Sequence, residues 1–199
     1  MAVLSTFIAR KRCRGPEYLC RALPFMLVLL IFDKFVPPAH AEISKEYQVK
    51  AVFLFNFTQF IEWPTNAFPG TNAPLTIGVL GADPFGKFLD ATVRGETVNG
   101  HPIVVKRFRR AWDVKECQIL FVSRSEEQRV KAILASLKDE NVLTVSDIEG
   151  FAQSGGIIRF VTEDGKIHFR VNLEAAKDAG LMVSAKLLRL AEIVEPGKD

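Results

Sequence analysis

Side chains able to do chemistry are sparse in this 199-residue chain, and they gather in short segments that follow apolar runs. Behind "LTIGVL" come Gly81, Asp83, Pro84, Phe85 and Gly86; behind "ILFV" come Ser123, Arg124 and Ser125; behind "VLTV" come Ser146, Asp147 and Gly150. Such residues do two kinds of work. Asp83 can accept from the first free N–H groups of a helix that has Pro84 at its first position, and Ser125 and Asp147 read as caps in the same way. Alternatively they contact a ligand or partner, with Gly81 and Gly86 allowing close backbone approach. The spacing matches neither a P-loop nor a dinucleotide fingerprint, so nothing here asks for a phosphate.

Catalysis needs a nucleophile beside its base, a carboxylate pair, or metal ligands at fixed spacing. His101 lies in the turn "NGHP". His168 alternates outward on a strand whose inward set is Ile167, Phe169 and Val171, and neither histidine has a Cys or second His at ligand spacing. There is no G-x-S-x-G. The expectation is a protein without catalytic residues, metal or cofactor. The densest charge cluster, "KRFRR", offers Arg107, Arg109 and Arg110 either as a solvated strand end or as a docking patch for an acidic protein surface, where rim charges set the encounter rate.

The elements that must position these residues follow from periodicity. "EISKEYQVKAVFLFNFTQFIEW" reads as an amphipathic helix capped by Ser44 and stopped by Pro64, with Val52, Phe53, Asn56, Phe57, Phe60 and Trp63 on its apolar face. Asn56 is then a buried, satisfied polar group. Phe55 points off that face, toward either the loop "PTNAFPGTNAP" or an outside partner or dimer mate. Six short β-branched runs follow: "LTIGVL", "IVVKRF", "ILFVS", "VLTVS", "IIRFVT" and "IHFRVN". Helical stretches lie between several of them, "EEQRVKAILASLK" being the clearest.

Strand and helix in repetition imply a parallel sheet covered by helices, and "EDGK" closes the last two strands as a hairpin. The tail "LEAAKDAGLMVSAKLLRLAEIV" is a helix, or a pair of helices broken at Gly180. The fold expected is an α/β three-layer sandwich with a mostly parallel sheet, flanking helices and a C-terminal β-hairpin plus helix. In such a sheet ligands meet the carboxyl ends of the strands near the switch in strand order, so the three chemical segments should share one rim.

The first 41 residues read as an export leader. Arg10, Lys11, Arg12, Arg14 and Arg21 precede an apolar run from Ala22 to Phe32, and Ala39 and Ala41 stand in A-x-A spacing. Cleavage is expected after Ala41, leaving one domain over residues 42–199. That segment keeps 20 basic and 21 acidic side chains, a balance that gives no electrostatic reason to expect nucleic acid. Cys13 and Cys20 leave with the leader, so Cys117 is expected as a lone buried thiol with no internal disulfide.

Long blocks carry a further reading: "YQVKAVFLFNFTQFIEWP", "LTIGVLGADPFG", "VNGHPIVVKRF", "CQILFVS", "VLTVSDIEGFAQSGGIIRFV" and "IHFRVNLEAAKDAGLMVSAKLLRLAEIV". In that order the chain resembles the YfiR-like family of exported bacterial proteins, long catalogued as a domain of unknown function. The resemblance implies a periplasmic regulator without enzymatic activity and with an α/β sandwich fold. Its best-known member binds the periplasmic domain of an inner-membrane diguanylate cyclase and holds it inactive, and an outer-membrane lipoprotein can titrate that member away. Homodimers occur in the family. With Cys117 alone, this chain departs from that member's paired cysteines, so redox control through an internal disulfide does not carry over. The alternative reading is a periplasmic small-molecule binding protein whose ligand occupies the rim.

Overall fold

The computed structural model describes residues 44–114 and 116–194. The expected leader and its cleavage point lie outside the described residues. In chain order the elements are α1 (Lys45–Phe60), β1 (Ile61–Glu62), β2 (Leu75–Leu80), α2 (Lys87–Val93), β3 (Thr97–Val98), β4 (His101–Phe108), β5 (Ile119–Val122), α3 (Val130–Ser136), β6 (Leu143–Ser146), β7 (Ile158–Glu163), β8 (Lys166–Val171), α4 (Leu173–Asp178), β9 (Met182–Val183), α5 (Ala185–Leu188) and β10 (Glu192–Ile193).

Among the described residues eight strands make one sheet, in the order β10-β8-β7-β6-β5-β2-β4-β3. Neighbours run parallel from β7 through β6, β5 and β2 to β4, and β10 runs parallel to β8; the β7–β8 and β3–β4 pairs are antiparallel. The strand order reverses at β2, which has β4 on one side and β5 on the other. The expected mostly parallel α/β sandwich is what the chain forms.

Burial on both faces accounts for the unbroken apolar runs. On a strand the side chains alternate, and here Ile77, Val79, Ile119, Phe121, Leu143 and Val145 join one core with α1 and α2, whereas Leu80, Leu120 and Val122 join a second core with Val130, Ile133 and Leu137 around α3. Every residue of β2, β5 and β6 is buried. The hairpin β7–β8 closes at Asp164 and Gly165, both at positive φ (50° and 71°), the geometry that a two-residue turn demands.

Several local expectations give way to packing. The first helix ends at Phe60 rather than Trp63, because Ile61 and Glu62 leave it to pair with Val183 and Met182. Its buried side is Lys50, Ala51, Leu54, Phe57 and Thr58, while Val52 is 43% exposed and Asn56 only half-buried. The reason is that α1 packs against α2 as well as the sheet, which turns its apolar face away from the one that the aromatic spacing indicates. Phe53 still packs on Phe57, Phe160 and Phe169, at ring-centroid distances of 6.3, 6.0 and 5.7 Å.

The helix expected from Glu126 begins as a 3-10 turn, Arg124–Arg129, before α3. Helix α2 starts at Lys87, so Pro84 belongs to the loop before it and not to its first position. The tail does break at Gly180 (φ +70°), but short strands β9 and β10 lie between and after its helices.

Candidate functional site

The carboxyl ends of β2, β5 and β6 carry the three chemical segments to one rim. Ser125 Oγ accepts from Ala82 N at 2.9 Å, tying the first loop to the second, and Ser146 Oγ donates to Val122 O at 2.7 Å, tying the third to the second. Ser125 therefore bridges loops instead of capping a helix. A Cβ on Gly81 would lie 2.4 Å from Ser125 Oγ, so the close approach that Gly81 permits is made by the protein itself. Asp83 accepts from Phe85 N (2.7 Å) and Gly86 N (3.2 Å), so it closes the loop ahead of α2 instead of capping the helix, whose N-cap is Gly86.

Not every candidate on the rim is open to a ligand. Phe85 is wholly buried, edge-on to Tyr47 and Phe121 with centroids 5.5 and 4.7 Å away, and belongs to the core. Ser123 and Ser146 are buried too, while Arg124 is exposed and Gly150 half-buried.

Asp147 is the residue whose reading changes most. It is not a helix cap. Its side chain is almost wholly buried, and Oδ2 accepts from Lys50 Nζ at 2.6 Å and Tyr47 Oη at 2.8 Å, with Arg124 Nε at 3.3 Å. Lys50 is itself buried and donates also to Glu46 Oε1, one turn back, and Glu46 in turn accepts from Thr162 Oγ1 at 3.0 Å on β7. Two cations and two anions so close the charge among themselves.

Burial alone would raise the Asp147 carboxyl; the hydrogen bond and charge of Lys50, then Tyr47 and Arg124, outweigh it and hold it below the usual carboxylate range. Glu46 is lowered chiefly by its hydrogen bond to Lys50. Tyr47 is raised by burial and by its bond to the carboxylate, and Arg124 by the Asp147 charge. The carboxylates and Arg124 are thereby favoured in their charged forms and Tyr47 in its neutral one. The cluster anchors α1 to the loop after β6 through Lys50 and Asp147 and to β7 through Glu46 and Thr162.

Sequence reasoning missed Tyr47, Lys50 and Glu46. One signal was present: Lys50, Leu54, Phe57 and Ile61 recur at the helical interval and place a lysine on a buried face.

Beside the cluster lies a recess of about 310 Å³ lined by Arg124, Glu127, Asp147, Glu149, Arg159 and Thr162, among others. Among the described residues no three His, Cys, Asp or Glu side chains gather to hold a metal. His168 is exposed, and His101 opens β4 at the other end of the sheet.

The arginine cluster does not form one patch. Arg107 is exposed but held at the surface, its Nε 2.9 Å from Asp83 Oδ2, Nη1 2.7 Å from Asp90 Oδ1 and Nη2 2.8 Å from Gly86 O. Arg110 bonds Asp113 at 3.1 Å and stands 5.1 Å from the Trp112 ring; Arg109 is exposed. Phe55 is half-buried and packs against the main core, so the exposed apolar side chains of α1 are Val49 and Val52. Cys117 is buried and free, its Sγ 3.0 Å from Ile119 O, and burial raises its thiol to about 12.

The model of the YfiR/HmsC-like family matches residues 47–192. The chain belongs to that family. The match runs from Tyr47 of the buried cluster to Glu192 of β10 and takes in both cores of the sheet. A search of curated proteins returned no match. Among the described residues no helix is long and apolar enough to cross a membrane.

Proposed function

We propose that this protein is a non-enzymatic periplasmic regulator that binds a membrane-bound signalling enzyme, a diguanylate cyclase, and represses it, lowering cyclic-di-GMP. The observation that carries the reading is the family match over residues 47–192. Two features support it. Lys50, Asp147 and Glu46 are joined in one charge network at the rim, and apolar side chains that a partner could cover stand exposed at Val49 and Val52 on α1 and at Met182, Leu190 and Ile193 near the C-terminus. Contact is made through the periplasmic domain of the enzyme. An outer-membrane lipoprotein competes for the regulator, and the regulator itself is a homodimer.

The leader delivers it: the exported form begins at Glu42. Recovery from the periplasmic fraction without detergent, with an intact mass lacking residues 1–41, is the result expected. The protein expressed from the full chain should also retain an inner-membrane cyclase from envelope extracts, and retention of none would remove the partner from the account. A second reading, ligand binding at the rim, is favoured by the recess beside Arg124 and Arg159. A ligand there could bias the regulatory complex, so the two readings are compatible.

A further inference from the structure

Opposite the rim, where β2 and β4 begin, a cavity of about 560 Å³ opens between β1, the loop after it and the β3–β4 hairpin. Trp63, Phe68, Leu75 and Val98 give it apolar walls, and the walls are fixed. Trp63 Nε1 donates to the Gln118 carbonyl at 3.2 Å. The Gln118 side chain pins the loop from both sides, donating to Ala67 O at 2.7 Å and accepting from Thr76 N at 2.8 Å. His101 Nδ1 lies 2.6 Å from the Ala73 carbonyl, so that nitrogen carries a proton, and the ring stacks on Phe68 with centroids 4.1 Å apart and planes 14° from parallel. The turn Asn99–Gly100, with both residues at positive φ (52° and 85°), sets Val98 opposite His101.

A preformed space of a few hundred Å³, mostly apolar, with a few placed polar groups is the usual form of a small-molecule site. The charge around it selects further. The lining holds one carboxylate, the exposed Glu62, and neither Lys nor Arg. A cation is therefore attracted and an anion repelled, and aromatic faces favour a cation as well.

We propose that this cavity binds a small amphipathic amine, with its apolar body between Trp63 and the Phe68–His101 stack and its ammonium against Glu62. The site lies at the end of the sheet opposite the rim and does not depend on the partner reading.

Trp63 reports occupancy directly once the other tryptophan, the exposed Trp112, is replaced. In the Trp112→Phe protein, expressed from the full chain, 2-phenylethylamine should give a saturable change in Trp63 fluorescence and a rise in melting temperature. Phenylacetate, with the same ring and the opposite charge, should bind at least tenfold more weakly. Glu62→Gln should weaken the amine several-fold without moving the melting temperature of the free protein, and Val98→Phe should abolish binding by filling the space. Equal binding of the two probes, an unchanged affinity in Glu62→Gln, or no saturation by the amine would each overturn the proposal. Failure to saturate, combined with loss of partner capture in Val98→Phe, would make the cavity a socket for a protein side chain instead.

Discussion

Lys50 and Asp147 are 97 positions apart in the chain and 2.6 Å apart in the fold, both out of water. Removing one partner of a buried pair leaves an uncompensated charge, so Asp147→Asn should lower the unfolding free energy by about 3–5 kcal/mol, read by urea denaturation at pH 7. The double variant Lys50→Met/Asp147→Leu should be less damaging than Asp147→Asn, because burying neither charge also avoids their desolvation. Acid should reveal the same pair. The Asp147 carboxyl is lowered in the fold, so its contribution is complete above its unfolded value of about 3.9 and is lost as pH falls through the lower folded value. Glu46 and Asp90 act in the same direction. Wild-type stability should therefore fall below about pH 4, and Asp147→Asn should fall less over that interval. The pairing itself was not legible locally: the helical interval from Lys50 to Ile61 places the lysine on a buried face, but an aspartate after a strand reads as a cap, because the partner of each is supplied by a distant element.

The elements were legible where they were long or buried on both sides. Strands β2, β5 and β6 stood out because covered faces demand unbroken apolar runs, and the β7–β8 turn because Asp-Gly permits positive φ. Strands β1, β9 and β10, two residues each, carry too little pattern to be seen. Aromatic spacing misplaced the face of α1 because α2 covers it from the side. A truncation series reads that face out. Phe57→Ala should cost about 3–5 kcal/mol, whereas Val52→Ala should stay within about 0.5 kcal/mol. Phe55→Ala, half-buried against the core, should fall between them; a cost equal to that of Phe57→Ala would make it core throughout. In the sheet, a Cβ on Gly78 would lie 2.7 Å from both Cys117 Sγ and the Phe108 ring. Gly78→Ala should thus destabilise by about 1–3 kcal/mol through overpacking, with partial relief from adding Cys117→Ala, as thermal melts would show.

At the scale of the molecule, the order of strands and helices gave the sandwich, and long blocks in sequence gave the family that the match over residues 47–192 establishes. The rim was legible as three loops meeting at the reversal of strand order, while its details, with Phe85 in the core and Arg107 paired to Asp83 and Asp90, depended on contacts that no local pattern encodes. The larger cavity went unseen because its walls come from β1, a loop and a hairpin that are separate in the chain. The central claim is repression by contact from outside the inner membrane. The measurement that meets it most directly is cellular cyclic-di-GMP in a strain lacking the gene, with and without the wild-type protein restored. Repression predicts a rise on deletion that the restored protein reverses and that disappears when the partner cyclase is also removed. An unchanged nucleotide level on deletion would contradict it.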